Sequence, residues 1–307
     1  METRRIASLE VSLVGLGCNN FGMRIDDEAS ARVVDAAIDA GITFFDTADI
    51  YGDTKSEAFL GRALSGRRDA VVIATKFGMR VDANRHGARP EYVRRAADDS
   101  LRRLGTDRID LYQLHQPDPT VPIADTIGAL DDLVRAGKVR EIGCSNFSAE
   151  QLREARAATK ANAASLVSVQ NEYSLLNREA EEAVLPECER LRLAFLPYFP
   201  LASGLLTGKY ARGTPAPEES RLSQSWAASR FLSEERLATV EALAAWARAR
   251  GRTMLELAMS WLASRHTVAS VIAGATSPEQ VRANALAAGW RLSGIEHAEI
   301  ETILRNR

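Results

Sequence analysis

A carboxylate, a phenol, an ammonium and an imidazole, those of Asp46, Tyr51, Lys76 and His115, are the side chains in this sequence best placed for acid–base or nucleophilic chemistry. Asp46, Lys76 and His115 each stand at the end of a β-branched apolar run, and Tyr51 follows Asp46 by five residues, just before Ser56 and Glu57. Taken singly, each has a plainer reading. An Asp at a strand end is commonly a turn or cap residue, a loop Tyr is commonly packing, and a lone His is commonly a hydrogen-bonded structural residue. Lys76 resists that treatment. Its stem continues the run Val71-Val72-Ile73-Ala74-Thr75, where an unpaired ammonium is costly and requires an anion, and Asp46 is the obvious partner. Four separate plain explanations on one rim are jointly weaker than a site. Lys76 alone also permits Schiff-base chemistry in an aldolase-like barrel.

The elements that must position these groups are short apolar runs alternating with segments whose apolar residues recur every three or four positions. These are the patterns of buried parallel strand and amphipathic helix. Strands are expected at 11–16, 42–45, 71–75, 109–114, 139–143, 166–170, 194–198 and 269–272, with helices at 28–40, 56–64, 90–104, 123–136, 149–159 and 179–192. Pro90-Glu91 opens one helix, and Gly41, Gly105 and Gly137 follow the last periodic residue of three others. Strands alternating with helices and no linker between them fit a single-domain (β/α)8 TIM barrel over 1–307, whose C-terminal strand ends converge on one rim. No GxGxxG turn follows an early strand, so the doubly wound dinucleotide fold lacks its fingerprint. The stretch 204–231, rich in Gly, Pro, Ser and Arg, reads as a long irregular loop of the kind that carries function. Helices at 234–250 and 254–263, parted by Gly251, and a terminal helix at 295–307 complete the chain.

Composition narrows the partners. The 307 residues carry 39 basic against 41 acidic side chains, a net charge of -2, with no basic cluster to grip a phosphate backbone, which argues against nucleic acid. No apolar run reaches the about 18 residues of a membrane span, and the N-terminus lacks the apolar core of a signal peptide, so a cytoplasmic protein is expected. Cys18, Cys144 and Cys188 form no CxxC pair, and no two of the four histidines have ligand spacing, which leaves neither a disulfide framework nor a zinc site. Nothing in the pattern specifies an oligomeric state.

The segment Phe45-Asp46-Thr47-Ala48-Asp49-Ile50-Tyr51-Gly52, continuing to Ser56-Glu57, resembles the early signature of the aldo-keto reductase family. Further matches follow in order: Ala74-Thr75-Lys76-Phe77-Gly78, Asp110-Leu111-Tyr112-Gln113-Leu114-His115, Gly143-Cys144-Ser145-Asn146-Phe147 and Val169-Gln170-Asn171-Glu172-Tyr173. Gly204-Leu205-Leu206-Thr207-Gly208-Lys209 and the run Gly274 to Gln280 with Asn284 complete a series spanning nearly the whole chain.

That resemblance implies reduction of small-molecule aldehydes and ketones with a nicotinamide cofactor, usually NADPH, bound on a barrel rim. It implies Tyr51 as general acid, its pKa lowered by Lys76, with Asp46 holding Lys76 and His115 donating a hydrogen bond to the substrate carbonyl. Ser145, Asn146 and Gln170 are expected to hold the nicotinamide carboxamide and Tyr198 to stack on the ring. Leu201, Ser203, Leu205 and Lys209 are expected along the pyrophosphate, under the 204–231 loop, and Gly274, Ser277, Gln280 and Asn284 at the adenosine end. Phe199 stands where many relatives have Ser, and Gly274, Thr276 and Gln280 stand where cations occur in others, so NADH is an admissible cofactor. Expected walls of the substrate pocket are Phe21, Met23, Ile50, Phe77, Met79 and Trp226. A cofactor-holding sensor with slow turnover, as in the channel-associated branch of the family, is the alternative.

Overall fold

Short strands with alternating exposure open the chain. In the computed structural model, which describes residues 1–214, 216–217, 220–223 and 225–305 and leaves out the side chains of 225–227, β1 (Thr3–Ile6) and β2 (Leu9–Ser12) form an antiparallel hairpin. The sequence reading joined the end of this hairpin to the first barrel strand as one run, 11–16. The structure breaks it at Leu13, because Val11 faces the barrel floor while β3 (Val14–Gly17) starts the barrel wall. Ile6, Leu9 and Val11 plug the barrel from below against Phe44, Val72, Leu111 and Leu196. Arg4 ties the hairpin down by donating to the carbonyls of Ala263 and Val268 at 2.6 and 2.5 Å.

The wall continues through β4 (Phe44–Asp46), β5 (Val72–Phe77), β6 (Ile109–Leu114), β7 (Val139–Ser145), β8 (Leu166–Glu172), β9 (Ala194–Tyr198) and β10 (Val271–Gly274). All are parallel, in the order β10-β3-β4-β5-β6-β7-β8-β9. The remaining seam closes beside β10, where Phe195 N donates to Thr267 O at 2.7 Å and Ala269 N donates to Phe195 O at 3.0 Å. This is the expected single-domain TIM barrel. Several strands run further toward the rim than their apolar runs, so Lys76 and Ser145 belong to strands.

One helix follows each of the first six barrel strands: α1 (Asp27–Asp39), α2 (Lys55–Ala63), α3 (Pro90–Leu104), α4 (Ile123–Arg135), α5 (Ala149–Ala158) and α6 (Val184–Leu191). Gly105 ends α3 with a φ of 63°, which a side chain would strain. The helix expected over 179–192 is two pieces, a 3-10 turn at Glu179–Glu181 and then α6, parted at Ala183, whose φ of -143° is not helical. The 204–231 stretch is less irregular than expected. It carries 3-10 turns at Ala202–Thr207 and Arg221–Ser223 and the helix α7 (Ser225–Phe231), with Leu205, Leu206, Leu222 and Phe231 buried beneath. Then come α8 (Glu234–Arg248), α9 (Met254–Ala263), α10 (Pro278–Ala287) after β10, and α11 (Gly294–Arg305), which packs on α8.

Candidate active site

Asp46 closes β4, Lys76 lies in β5 and His115 follows β6, so strand order alone brings three of the four groups to one rim. Tyr51 arrives through the turn after β4. Asp49 N donates to Lys76 O at 3.0 Å, and Gly52, at a φ of 58°, lets the turn press on the backbone of Phe21 and Gly22, where a Cβ would collide. Ser56 and Glu57 fix the same turn. Ser56 Oγ donates to Cys18 O at 2.8 Å, and Glu57 accepts from Thr75 Oγ1 and Arg103 Nε, both at 2.6 Å.

The four groups meet. Lys76 Nζ donates to Asp46 Oδ2 at 2.5 Å and to Thr47 O at 2.9 Å, and it sits 5.2 Å from the Tyr51 ring centre. His115 packs edge-on to Tyr51 with ring centres 5.7 Å apart. Asp46 Oδ1 accepts from Gln170 Nε2 at 2.9 Å and Gln113 Nε2 at 3.3 Å. Burial disfavours the Lys76 charge, but Asp46 and Tyr51 more than offset it, and its pKa rises above the ordinary 10.5. Burial also raises Tyr51 above 10.0, and Lys76 opposes this without reversing it. The expected net lowering of Tyr51 is therefore not what the protein alone produces: desolvation of the phenolate outweighs the cation. Burial, then the Lys76 charge, pushes His115 well below 6.5, so it is neutral at pH 7, with Nδ1 buried and unpartnered among the described residues. Burial raises the Cys18 and Cys144 thiols well above their ordinary value, which makes them inert.

A cavity of about 870 Å³ runs from this cluster across the rim. Asp46, Tyr51 and His115 line one part of it together with Ser145, Asn146, Gln170 and Tyr198. Leu201, Ser203, Lys209, Gly274, Gln280 and Asn284 line the rest. Three expected residues do not. Lys76 is fully buried behind Tyr51, Leu205 is fully buried in the core, and Ser277 caps α10, its side chain accepting from Gln280 N. The groups expected around the carboxamide bond one another: Ser145 Oγ donates to Gln170 O at 2.7 Å, Asn146 Nδ2 to His115 O at 2.9 Å, and Tyr198 OH to Asn146 Oδ1 at 2.8 Å. Phe199 packs edge-on against Phe231 of α7, and Arg230, paired with Glu172, lies over both rings. The Phe199 ring thus anchors α7 at the rim.

Of the expected pocket walls, Met79 lines the cavity. Phe21 and Phe77 are fully buried core residues, Phe77 stacking on Tyr112, while Met23 and Ile50 are not among the lining residues. The Trp226 side chain lies outside the described residues. The sequence reading missed Asn19, Asn20, Arg24, Ser220 and Arg221, all of which line the cavity. Arg221 Nη2 donates to Asn20 Oδ1 at 2.7 Å, and Asn20 Nδ2 donates to Ala275 O at 3.1 Å, so these two residues link the 204–231 segment to the loop after β3 and the end of β10. Only the Ser220-Arg221 pair, a hydroxyl beside a cation within the long loop, carried a signal in the sequence. The buried hydroxyls of Ser203 and Ser220, both on the cavity, have no protein partner among the described residues. With Lys209 and Arg221 alongside, they form a set of donors and cations that fits a diphosphate.

The chain matches the Aldo/keto reductase family over residues 13–305 and belongs to it. It is therefore an oxidoreductase of carbonyl chemistry, in a family that uses nicotinamide cofactors. It is 37% identical over 318 aligned residues to the aldo-keto reductase YhdN of Bacillus subtilis (strain 168), an alignment covering 100% of this chain and 94% of that protein. Among solved structures it resembles the glycerol dehydrogenase AKR11B4 of Gluconobacter oxydans, with a TM-score of 0.86 and 32% identity, covering 99% of this chain and 95% of that one.

Proposed function

We propose that the protein reduces small aldehydes and ketones to alcohols with NADPH, Tyr51 supplying the proton. The observation that carries this reading is the meeting of Tyr51, Lys76, Asp46 and His115 at one cavity large enough for a dinucleotide. Bound there, the nicotinamide supplies a hydride to the carbonyl carbon. Tyr51 OH gives its proton to the carbonyl oxygen, and Lys76, held by Asp46, stabilises the phenolate that forms. Neutral His115 donates a hydrogen bond from its other nitrogen to the same oxygen as negative charge develops. Ser145, Asn146 and Gln170 exchange their mutual bonds for the carboxamide, and Tyr198 offers its ring to the nicotinamide face.

Ser203, Ser220, Lys209 and Arg221 take the pyrophosphate, between the 3-10 turns at Ala202–Thr207 and Arg221–Ser223. Asn284, Gln280 and Gly274 take the adenosine end, where Ser277 organises the start of α10. At that end Gln280 Oε1 already accepts from Thr276 N at 2.9 Å, so its amide N–H groups are what it offers a 2′-phosphate. Buried free thiols at Cys18, Cys144 and Cys188 fit a reducing compartment, and we place the enzyme in the cytoplasm. No described helix is long and apolar enough to cross a membrane.

The test is NADPH and NADH titration by fluorescence, followed by cofactor oxidation at 340 nm with a panel of small aldehydes and ketones. Turnover with several carbonyls, faster with NADPH, is expected. Tight NADPH binding with no turnover on any of them supports the sensor alternative instead.

A further inference from the structure

We propose that Gln113 is a positioning residue of the reduction, the donor that keeps Asp46 aimed at Lys76 while Gln170 turns to the nicotinamide. This rests on the reductase reading of the cavity. Asp46 has three side-chain partners: Lys76 on one oxygen, and Gln170 and Gln113 sharing the other. The two amides differ in place. Gln170 lines the cavity and is the residue a carboxamide would meet, whereas Gln113 is fully buried, absent from the cavity lining, and pairs in register with Lys76 on β5 and with Gly143 on β7. When Gln170 divides its bonds between Asp46 and a ligand, Gln113 is the amide with no competing demand.

The site is built to admit Gln113. Gly143 leaves the room it occupies, since a Cβ there would stand 3.2 Å from Gln113 Cγ. The amide orientation is fixed by chemistry, because an ionised carboxylate only accepts and the N–H side must face Asp46. That orientation strands Gln113 Oε1, which is buried without a partner among the described residues. The bond to Asp46 is the interaction that an apolar side chain of the same shape would lose. The titratable groups facing Lys76 are Asp46 on β4, Tyr51 in the turn after it, His115 after β6 and Cys18 after β3. Of these, Asp46 is the anion that Gln113 holds.

The experiment compares wild type with Gln113→Met, which keeps length without a donor, and Gln113→Asn, which keeps the amide but withdraws it by one methylene. Ser168→Ala is the control, since Ser168 Oγ is also buried and unpartnered, borders the same Gly143, and makes no bond to Asp46. Lys76 is followed with saturating NADP+, which draws Gln170 toward the carboxamide, by NMR of [13Cε]lysine-labelled protein, its signal assigned by its absence from Lys76→Met. Both Gln113 variants are expected to titrate Lys76 at least one pH unit lower than wild type. They should lose tenfold or more in kcat, keep the carbonyl KM and NADPH Kd within threefold, and bring the alkaline limb of kcat down with the Lys76 titration. Ser168→Ala should match wild type. A folded Gln113 variant whose Lys76 titrates as in wild type overturns the proposal. Absence of turnover in wild type would instead sink the reductase reading, and the NMR comparison would still decide whether Gln113 acts through Asp46.

Discussion

Replacing Lys76 by methionine removes one charge and little volume, which makes its consequences calculable. Lys76 Nζ lies 5.2 Å from the Tyr51 ring centre in a fully buried setting. At an effective dielectric of about 20, a unit charge that close to a developing phenolate is worth about 3 kcal/mol, or a little over a hundredfold in rate. Burial already holds Tyr51 above its ordinary pKa of 10.0, so the variant leaves the phenolate opposed by desolvation with no cation beside it. Stability should fall as well. Asp46 loses its 2.5 Å partner and keeps only two amide donors, and removing one member of a buried pair costs about 3–5 kcal/mol. The assay measures kcat at pH 7 from 340 nm absorbance, NADPH affinity by fluorescence, and Tm by calorimetry. Expected are a loss of a hundredfold or more in kcat, near-normal NADPH binding and a Tm lower by roughly 5–8 °C. A folded Lys76→Met protein retaining more than a tenth of wild-type kcat would refute the electrostatic argument.

Three further outcomes follow from the same geometry. Reduction needs neutral His115 with Tyr51 and Lys76 protonated; the first is held well below 6.5 and the others above 10.0 and 10.5, so kcat should be level from pH 6.5 to 10 and fall only above. A decline between pH 7 and 9 contradicts that assignment. Asp49, buried beside Glu57, is pushed from 3.8 to about 7. Its proton is bound more tightly in the folded state, so stability is lost as pH rises from about 4 to 7, by at most on the order of 4 kcal/mol. Asp49→Asn should then raise Tm at pH 8 and not at pH 4, as followed by scanning calorimetry at both. Arg221→Gln should weaken NADPH by about tenfold or more and flatten the salt dependence of its Kd, with carbonyl KM unchanged; unaltered NADPH affinity would remove Arg221 from the pyrophosphate site.

The barrel and its rim were legible because parallel strands buried on both faces read as unbroken apolar runs, and their ends locate Asp46, Lys76 and His115 directly. The hairpin β1–β2 was not, since four-residue strands that plug a barrel floor have too short a pattern to separate from the strand that follows. Residues brought in by long-range docking also escaped. Arg221 reaches Asn20 across 201 positions of sequence, and no local periodicity marks either. Leu205 shows the converse: its place in a recognisable motif suggested a cavity contact, but the 3-10 turn at Ala202–Thr207 turns its side chain into the core. The direction of the Tyr51 pKa needed burial as well as neighbours, and a sequence supplies only the neighbours.

The most direct test is a single-turnover comparison of wild type and Tyr51→Phe, each preloaded with NADPH and mixed with a reactive aldehyde. The phenol should be dispensable for holding the cofactor and indispensable for using it: NADPH fluorescence and affinity match wild type, while the 340 nm decay slows at least a hundredfold. Decay at the wild-type rate in the phenylalanine variant would mean that the proton comes from elsewhere.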